Sequence, residues 1–472
     1  NARSAAVICC SPRTEKPKNA LLKNAATLLN PKKKRTMNQS KITVIGGGLA
    51  GSEAAYYLAK KGYAVKLVDI KPNAFTPAHS NKNYGELVCS NSLKSNDIYA
   101  NACGLLKEEM RILGSFVIDC ADKTSVPAGA ALAVDREAFA AAITEGLKRF
   151  DNIEFVSEEV KSVDLGENVI IATGPLTTSA LCEFIKGVTG DGFYFYDAAA
   201  PIVSGDSIDF SNAFIADRYG EVGEGDYVNC PIDKEGYKAF YEQLITAKRV
   251  ELHDFENMKV FEGCMPVEVM AARGEDTLRF GPLKPVGLDD PKTGRRPYAC
   301  MQLRKEDENG QRYNLVGFQT NLLFPEQKRV FSMFPALKNA EFLRYGVMHK
   351  NTYIDSPKVL NADYSLKNHP TAFFAGQITG VEGYVESTAS GLLAAINMDR
   401  KLCGKQSLSL DNQTVIGALA NYVAAENPDF QPMNANYGIL KPLGEIIKKK
   451  ADKKRALSER ALKIIKEVKE QL

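Results

Sequence analysis

The chain has 472 residues, 44% of them apolar and 25% charged, the balance of an ordinary soluble globular protein with room for two or three hydrophobic cores. No apolar run approaches the roughly 20 residues that cross a bilayer, so no membrane partner is expected. The formal charge of +3 is uneven: residues 1–36 carry nine Lys or Arg against the single acid Glu15, which leaves the remainder at −5, so net charge alone argues for no nucleic-acid partner.

Ten cysteines are dispersed along the chain with no C-x-x-C pair and no Cys/His cluster at ligand spacing, and no metal is expected. In a chain of this length most should be reduced, small buried hydrophobes. Residues 1–36 hold Pro12, Pro17, Pro31 and the basic run Lys32 to Arg35 with little apolar periodicity, and are expected to form a disordered basic tail. An upstream translation artefact is favoured for this tail over a basic arm or a targeting peptide, because Met37 stands just ahead of the first strand.

Ile42 to Ile45 is a short β-branched run of the kind that forms a buried parallel strand. Gly46-Gly47-Gly48-Leu49-Ala50-Gly51 follows it and opens an alanine-rich helical pattern. Gly46 permits the tight turn, Gly48 leaves room for a pyrophosphate, and Gly51 lets helix pack on strand. The helix N-terminus then faces the phosphates with unpaired N–H groups. A second strand, Ala64 to Val68, ends in Asp69, whose carboxylate can accept hydrogen bonds from ribose hydroxyls. Together these read as a dinucleotide site.

After loops containing Pro72 and Pro77, the stretch Gly85 to Asn96 gathers Ser, Asn and Gly around Cys89, a turn with exposed backbone donors. Helical periodicity spans Leu105 to Leu113 and Arg136 to Phe150. Strand-like Ile153 to Val156 and Val169 to Ile171 follow, the second running into Ala172-Thr173-Gly174-Pro175, small residues that tolerate a neighbouring cofactor. From about Ser179 to Lys350 aromatic strands such as Phe193 to Tyr196, a helix near Tyr237 to Ala247 and Pro/Gly loops suggest an inserted α+β domain. Its loops carry Lys284, Arg295 and Arg296, which suit an anionic ligand as well as they suit solvated turns.

Thr371 to Leu393 reads as a buried strand, a glycine-rich turn at Gly376-Gln377 and a small-residue helix that can approach a flavin closely. Such a late strand-turn-helix, paired with the early fingerprint, favours FAD over NAD as resident cofactor. No second G-x-G-x-x-G precedes a helix, so a nicotinamide dinucleotide is expected to bind transiently near the flavin. Glu445 to Leu472 should be helical, with a broken apolar stripe and ten Lys or Arg against five acids. A solvated face is the favoured reading of those charges over an RNA contact.

The resulting plan is α/β: a split Rossmann-like FAD-binding domain in 37–178 and 352–404, an inserted α+β domain in 179–351, and a C-terminal helical segment in 405–472.

Over nearly all of 38–470 the chain resembles the folate- and FAD-dependent tRNA (uracil-5-)-methyltransferase family, TrmFO. The resemblance is carried by Gly46 to Ala55, Glu86 to Leu93, Cys264 to Glu268, Arg279 to Leu288, Gly294 to Tyr298, Met348 to Asn351, Gly376 to Tyr384 and Phe430 to Asn436. The larger tRNA carboxymethylaminomethyl-uridine enzymes are a poorer match, usually with His where this chain has Leu49. Asp69 departs from the Glu common in the family but keeps the carboxylate, and the basic tail lies outside the family pattern.

The resemblance implies a cytoplasmic enzyme that methylates C5 of a T-loop uridine in tRNA. Methylenetetrahydrofolate donates the methylene, reduced FAD supplies the electrons that make it methyl, and NADPH or NADH restores the flavin. Alternatives are the same chemistry on ribosomal RNA and a generic FAD/NAD(P)H oxidoreductase. C5 of uracil is a poor nucleophile until a thiolate adds at C6, so a reactive Cys and a base are needed. The resemblance assigns catalytic importance to Cys89 and Cys264, one as C6 nucleophile and the other as base or in handling the methylene, with the order open. It implies that His349 stacks on the folate pterin, and that Lys284, Arg295 and Arg296 meet the folate glutamate or RNA phosphates.

Overall fold

In a computed structural model, residues 38–76, 78–190, 193–250, 265–444 and 446–472 are described. The expected basic tail and Cys264 lie outside the described residues.

The chain opens with β1 (Asn38–Ile45), α1 (Leu49–Lys61) and β2 (Tyr63–Asp69). With β3 (Ile153–Ser157), β4 (Val169–Ile171) and β5 (Ala372–Phe374) these strands form a five-stranded sheet in the order β5, β4, β1, β2, β3. Every neighbouring pair is parallel, with Ile45 opposite both Val68 and Ile171, and Phe374 opposite Ile171. Ile42, Val44, Leu67, Ile170 and Ile171 are fully buried, as a parallel sheet covered on both faces demands. Strand order reverses beside β1, since β2 and β3 lie on one side of it and β4 and β5 on the other. Such a switch point opens a crevice at the carboxyl ends of the strands.

Helices α2 (Ala102–Leu113), α3 (Phe116–Lys123), α4 (Arg136–Lys148), α5 (Tyr384–Leu402), α6 (Val415–Ala424) and α7 (Lys450–Lys469) share one core with this sheet. The approach of α5 to α1 needs glycine, because a Cβ at Gly391 would stand 2.3 Å from the Ala50 carbonyl oxygen. Two buried carboxylates tie helix ends together. Glu53 on α1 accepts from the Ser115 hydroxyl and the Phe116 and Val117 amides, and Glu109 on α2 accepts from the Val415 and Ile416 amides. Each thereby satisfies orphan N–H groups at a helix start. Burial raises the pKa of Glu53 to about 7 and that of Glu109 to about 8, against the opposing effect of those hydrogen bonds.

Between β4 and β5 the chain builds a six-stranded antiparallel sheet, ordered Phe214–Ile215, Tyr227–Ile232, Ala299–Lys305, Arg312–Leu315, Ile202–Ser204, Phe342–Arg344. Helices Lys234–Thr246 and Phe324–Phe331 pack on it through their own core, where Phe240 meets Phe334 edge-on at 5.0 Å and Phe331 meets Phe318 at 5.3 Å. A two-stranded ribbon, Phe193–Ala198 with Met348–Tyr353, joins this part to the parallel sheet. The expected α/β fold class, a parallel sheet core whose strands are separated in sequence by an antiparallel part, is thus the one found.

The last helix differs from expectation. It begins at Lys450, not Glu445, and Ile446 is 95% exposed instead of joining the apolar stripe. The stripe that does pack starts at Leu457 and continues through Ala461, Ile465 and Val468, all buried, on the side facing α2.

Candidate functional site

The carboxyl ends of β1, β2, β4 and β5 meet around a cavity of about 390 Å³. Gly46, Gly48, Leu49 and Ala50 line it from the first turn, Asp69 from β2, Thr173 and Gly174 from β4, and Gly376 and Gln377 from β5. Gly46 has a φ of +98°, and a Cβ there would meet the Ala172 carbonyl oxygen at 2.5 Å. Gly51 supports the same turn from behind, where a Cβ would overlap the Gly46 carbonyl oxygen at 1.8 Å. Gly47 also stands behind the lining, its N–H donating to Asp69 Oδ2 at 2.6 Å, while the Lys71 amide donates to Oδ1 at 2.8 Å. Both carboxylate oxygens are thereby oriented, and each keeps a lone pair for a further donor.

Three features fit an extended dinucleotide. A Cβ built at Gly48 meets nothing within 4 Å, so the turn leaves open space beside the backbone. Gly48 precedes the first residue of α1 and offers no side-chain cap, which keeps the first N–H groups of the helix for an anion. Asp69 then stands at the end of β2, where ribose hydroxyls would be read.

Cys89 lines the far part of the cavity and is half-buried. Its Sγ lies 2.9 Å from the Tyr384 hydroxyl, which also accepts from the amides of Cys89 at 2.8 Å and Ser90 at 3.3 Å. With two amides on the oxygen, the phenolic proton is directed at the sulfur. Burial, reinforced by the nearby Cys89, raises the Tyr384 pKa well above the ordinary tyrosine value, so the hydroxyl stays a donor. Arg136 on α4 donates to the carbonyls of Leu87 at 2.8 Å and Val88 at 3.2 Å and is paired with Glu306. Arg304 donates to Ser90 Oγ at 2.9 Å and Asn91 Oδ1 at 3.1 Å. The Cys89 loop is therefore clamped by two guanidinium groups, and the Arg136 charge acts on the thiol electrostatically.

The remaining candidates fall elsewhere. The backbone of His349 pairs with Asp197 in the connecting ribbon, and Asn351, two residues on, lines the cavity. Lys284, Arg295 and Arg296 are exposed on loops of the inserted part and do not line the cavity. Cys264 lies outside the described residues. Among the described residues no group of three or more His, Cys, Asp or Glu is placed to hold a metal ion, and no helix is long and apolar enough to cross a membrane.

Sequence reasoning missed Tyr384 and Arg136. Tyr384 closes the Gly376 to Tyr384 motif, so that motif held a signal for it. Arg136 had none, because only the fold brings α4 to the Cys89 loop.

A family model described as "Glucose inhibited division protein A" matches residues 41–406. A protein of Natranaerobius thermophilus named "Methylenetetrahydrofolate--tRNA-(uracil-5-)-methyltransferase TrmFO" is 56% identical over 429 residues, covering 90% of this chain and 98% of its own. Its namesake in Acetivibrio thermocellus is 54% identical over 428 residues, with the same two coverages. Among solved structures, Aquifex aeolicus GidA in its form II crystal superposes with a TM-score of 0.67 at 14% identity, covering 92% of this chain and 74% of that one. At that identity the likeness concerns the fold.

Proposed function

The chain belongs to the TrmFO family of folate-dependent tRNA (uracil-5-)-methyltransferases, and we propose that it methylates C5 of a T-loop uridine in tRNA. Methylenetetrahydrofolate is the one-carbon donor, FAD the resident cofactor, NADPH or NADH the reductant, and the cytoplasm the place of action. The observation that carries this reading is the convergence of the Gly46 turn, Asp69, Gly376 and the Cys89–Tyr384 pair on one cavity.

Asp69 would hold the ribose hydroxyls and the N-terminus of α1, beside the open face of Gly48, the pyrophosphate. Thr173, Gly174, Gly376 and Gln377 would line the passage to the ring. When bound, FAD supplies the electrons that turn a methylene into a methyl group. The thiols do the rest of the work on the uracil. One of Cys89 and Cys264 adds to C6, which makes C5 nucleophilic, and the other takes up the C5 proton or handles the methylene. Either role uses a thiolate at Cys89, and the Tyr384 hydroxyl and the Arg136 charge both stabilise one. His349 would stack on the folate pterin, and Lys284, Arg295 and Arg296 would meet the folate glutamate or RNA phosphates.

The direct test is transfer of label from methylenetetrahydrofolate to C5 of a uridine in unmodified tRNA by the purified protein with NADPH. A protein that oxidises NADPH without labelling any RNA would overturn the proposal in favour of a flavin reductase.

A further inference from the structure

Lys94 and Glu386 form an ion pair in the wall of the same cavity, and none of the roles above uses it. Glu386, in the first turn of α5, is fully buried. Its Oε1 accepts from Lys94 Nζ at 3.3 Å and from the Ala435 amide at 2.9 Å, whereas Oε2 has no hydrogen-bond partner among the described residues. A buried carboxylate oxygen left without a donor is costly unless something outside the protein completes it. The Lys94 side chain is 45% exposed and lines the cavity. Glu386 is its one hydrogen-bond acceptor among the described residues, and an ammonium group has three donors.

The pair is built with some strain. Lys94 has a φ of +62°, a region that non-glycine residues rarely occupy. Gly383, with a φ of +119°, admits both charges: a Cβ there would stand 2.2 Å from Glu386 Oε2 and 2.9 Å from Lys94 Nζ. Burial works against the Lys94 charge, but the Glu386 carboxylate, with Cys103 and Glu382 behind it, outweighs burial and raises the lysine pKa. The ammonium is therefore permanent.

We infer that Lys94, poised by Glu386, is the electrostatic residue that sets the reduction potential of the bound flavin. The inference rests on the FAD reading above. Asp69, Gly48 and Gly376, the last beside Ala50, line the part of the cavity read for the ribose and pyrophosphate, and an extended dinucleotide would carry its ring from there toward the wall that holds Cys89, Gly383, Tyr384 and Lys94. An isoalloxazine that takes up two electrons and one proton gains a negative charge, and a fixed cation in the wall of its cavity would favour the reduced form. Glu386 moderates that cation. The two residues must then act with opposite sign.

The test uses the FAD-bound full chain and measures the midpoint potential against a reference dye, together with the Kd for sulfite, which adds to flavins more readily beside a positive charge. Lys94→Met should weaken sulfite binding at least tenfold and lower the potential by about 30 mV, the equivalent of a tenfold change in a two-electron equilibrium. Glu386→Gln should raise the potential and tighten sulfite binding, and Lys94→Arg should stay near the parent. A purely structural pair would instead move both neutralising variants in one direction, or leave both potentials unmoved, and either result overturns the inference. Should Lys94→Met retain no flavin, the sign of the Glu386→Gln shift decides. A parent protein purified without flavin absorbance, and unable to take up FAD, would overturn the FAD reading instead.

Discussion

The Tyr384 hydroxyl sits 2.9 Å from Cys89 Sγ while accepting the backbone amides of Cys89 and Ser90. The residues are 295 positions apart in sequence, and the start of helix α5 joins them. Tyr384→Phe removes this hydroxyl and leaves the ring in place. Alkylation of Cys89 by iodoacetamide should then shift to higher pH, and methylation should fall by at least tenfold, about 1.4 kcal/mol of transition-state stabilisation, with the flavin spectrum retained. Unchanged alkylation and turnover would show that the contact does not tune the thiol.

Gly48 and Gly51 should fail in different ways. A side chain at Gly48 enters open space, so Gly48→Glu should fold normally, judged by circular dichroism, and lose FAD. Gly51→Val drives a side chain into the Gly46 carbonyl. It should cost at least the ~1–3 kcal/mol of an overpacked core, seen as a lowered unfolding midpoint. A Gly48→Glu protein that keeps its yellow colour would contradict the placement of the pyrophosphate.

Glu53 and Glu109 make stability depend on pH. Each ionises near 4.5 in the unfolded chain, but near 7 and 8 respectively in the fold. Between those values the folded state holds protons that the unfolded state has lost, so rising pH favours unfolding, by at most about 1.4 kcal/mol per pH unit for each group. The urea midpoint should therefore fall from pH 5 to pH 8. Glu109→Gln should flatten that fall; an undiminished slope would contradict the assignment.

The two thiols can be separated with an RNA carrying 5-fluorouridine, which traps the thiol that adds to C6 because no base can remove fluorine. Of Cys89→Ala and Cys264→Ala, the variant without the C6 nucleophile should lose the covalent RNA adduct, and the other, if its thiol is the base that takes the C5 proton, should keep the adduct yet fail to methylate normal RNA. Both should stay yellow. Adducts of normal yield in both variants would mean that neither cysteine is the nucleophile.

What the sequence made legible was local. The apolar run Ile42 to Ile45, three glycines at fixed spacing and Asp69 at the end of the next strand lie within 30 residues, and turn and helix chemistry suffices to read them. The late Gly376 turn was legible for the same reason. The clamp on Cys89 was not, since Arg136, Arg304 and Tyr384 come from three distant segments that carry no shared period. The antiparallel sheet was foreseen only as strands and loops. Its short central strands bury polar residues such as Asn229, Gln302 and Asn314, which blurs the alternation that would have revealed their order. Ile446 looked like part of an apolar stripe because spacing alone does not show where a helix begins.

The measurement that tests the central claim most directly is methylation of separate pools of unmodified tRNA and ribosomal RNA by the purified protein, with labelled methylenetetrahydrofolate and NADPH. The account predicts label at C5 of a tRNA T-loop uridine, lost in Cys89→Ala. Label in ribosomal RNA alone would contradict the substrate, and label in neither, despite bound FAD and continuing NADPH oxidation, would contradict the reaction.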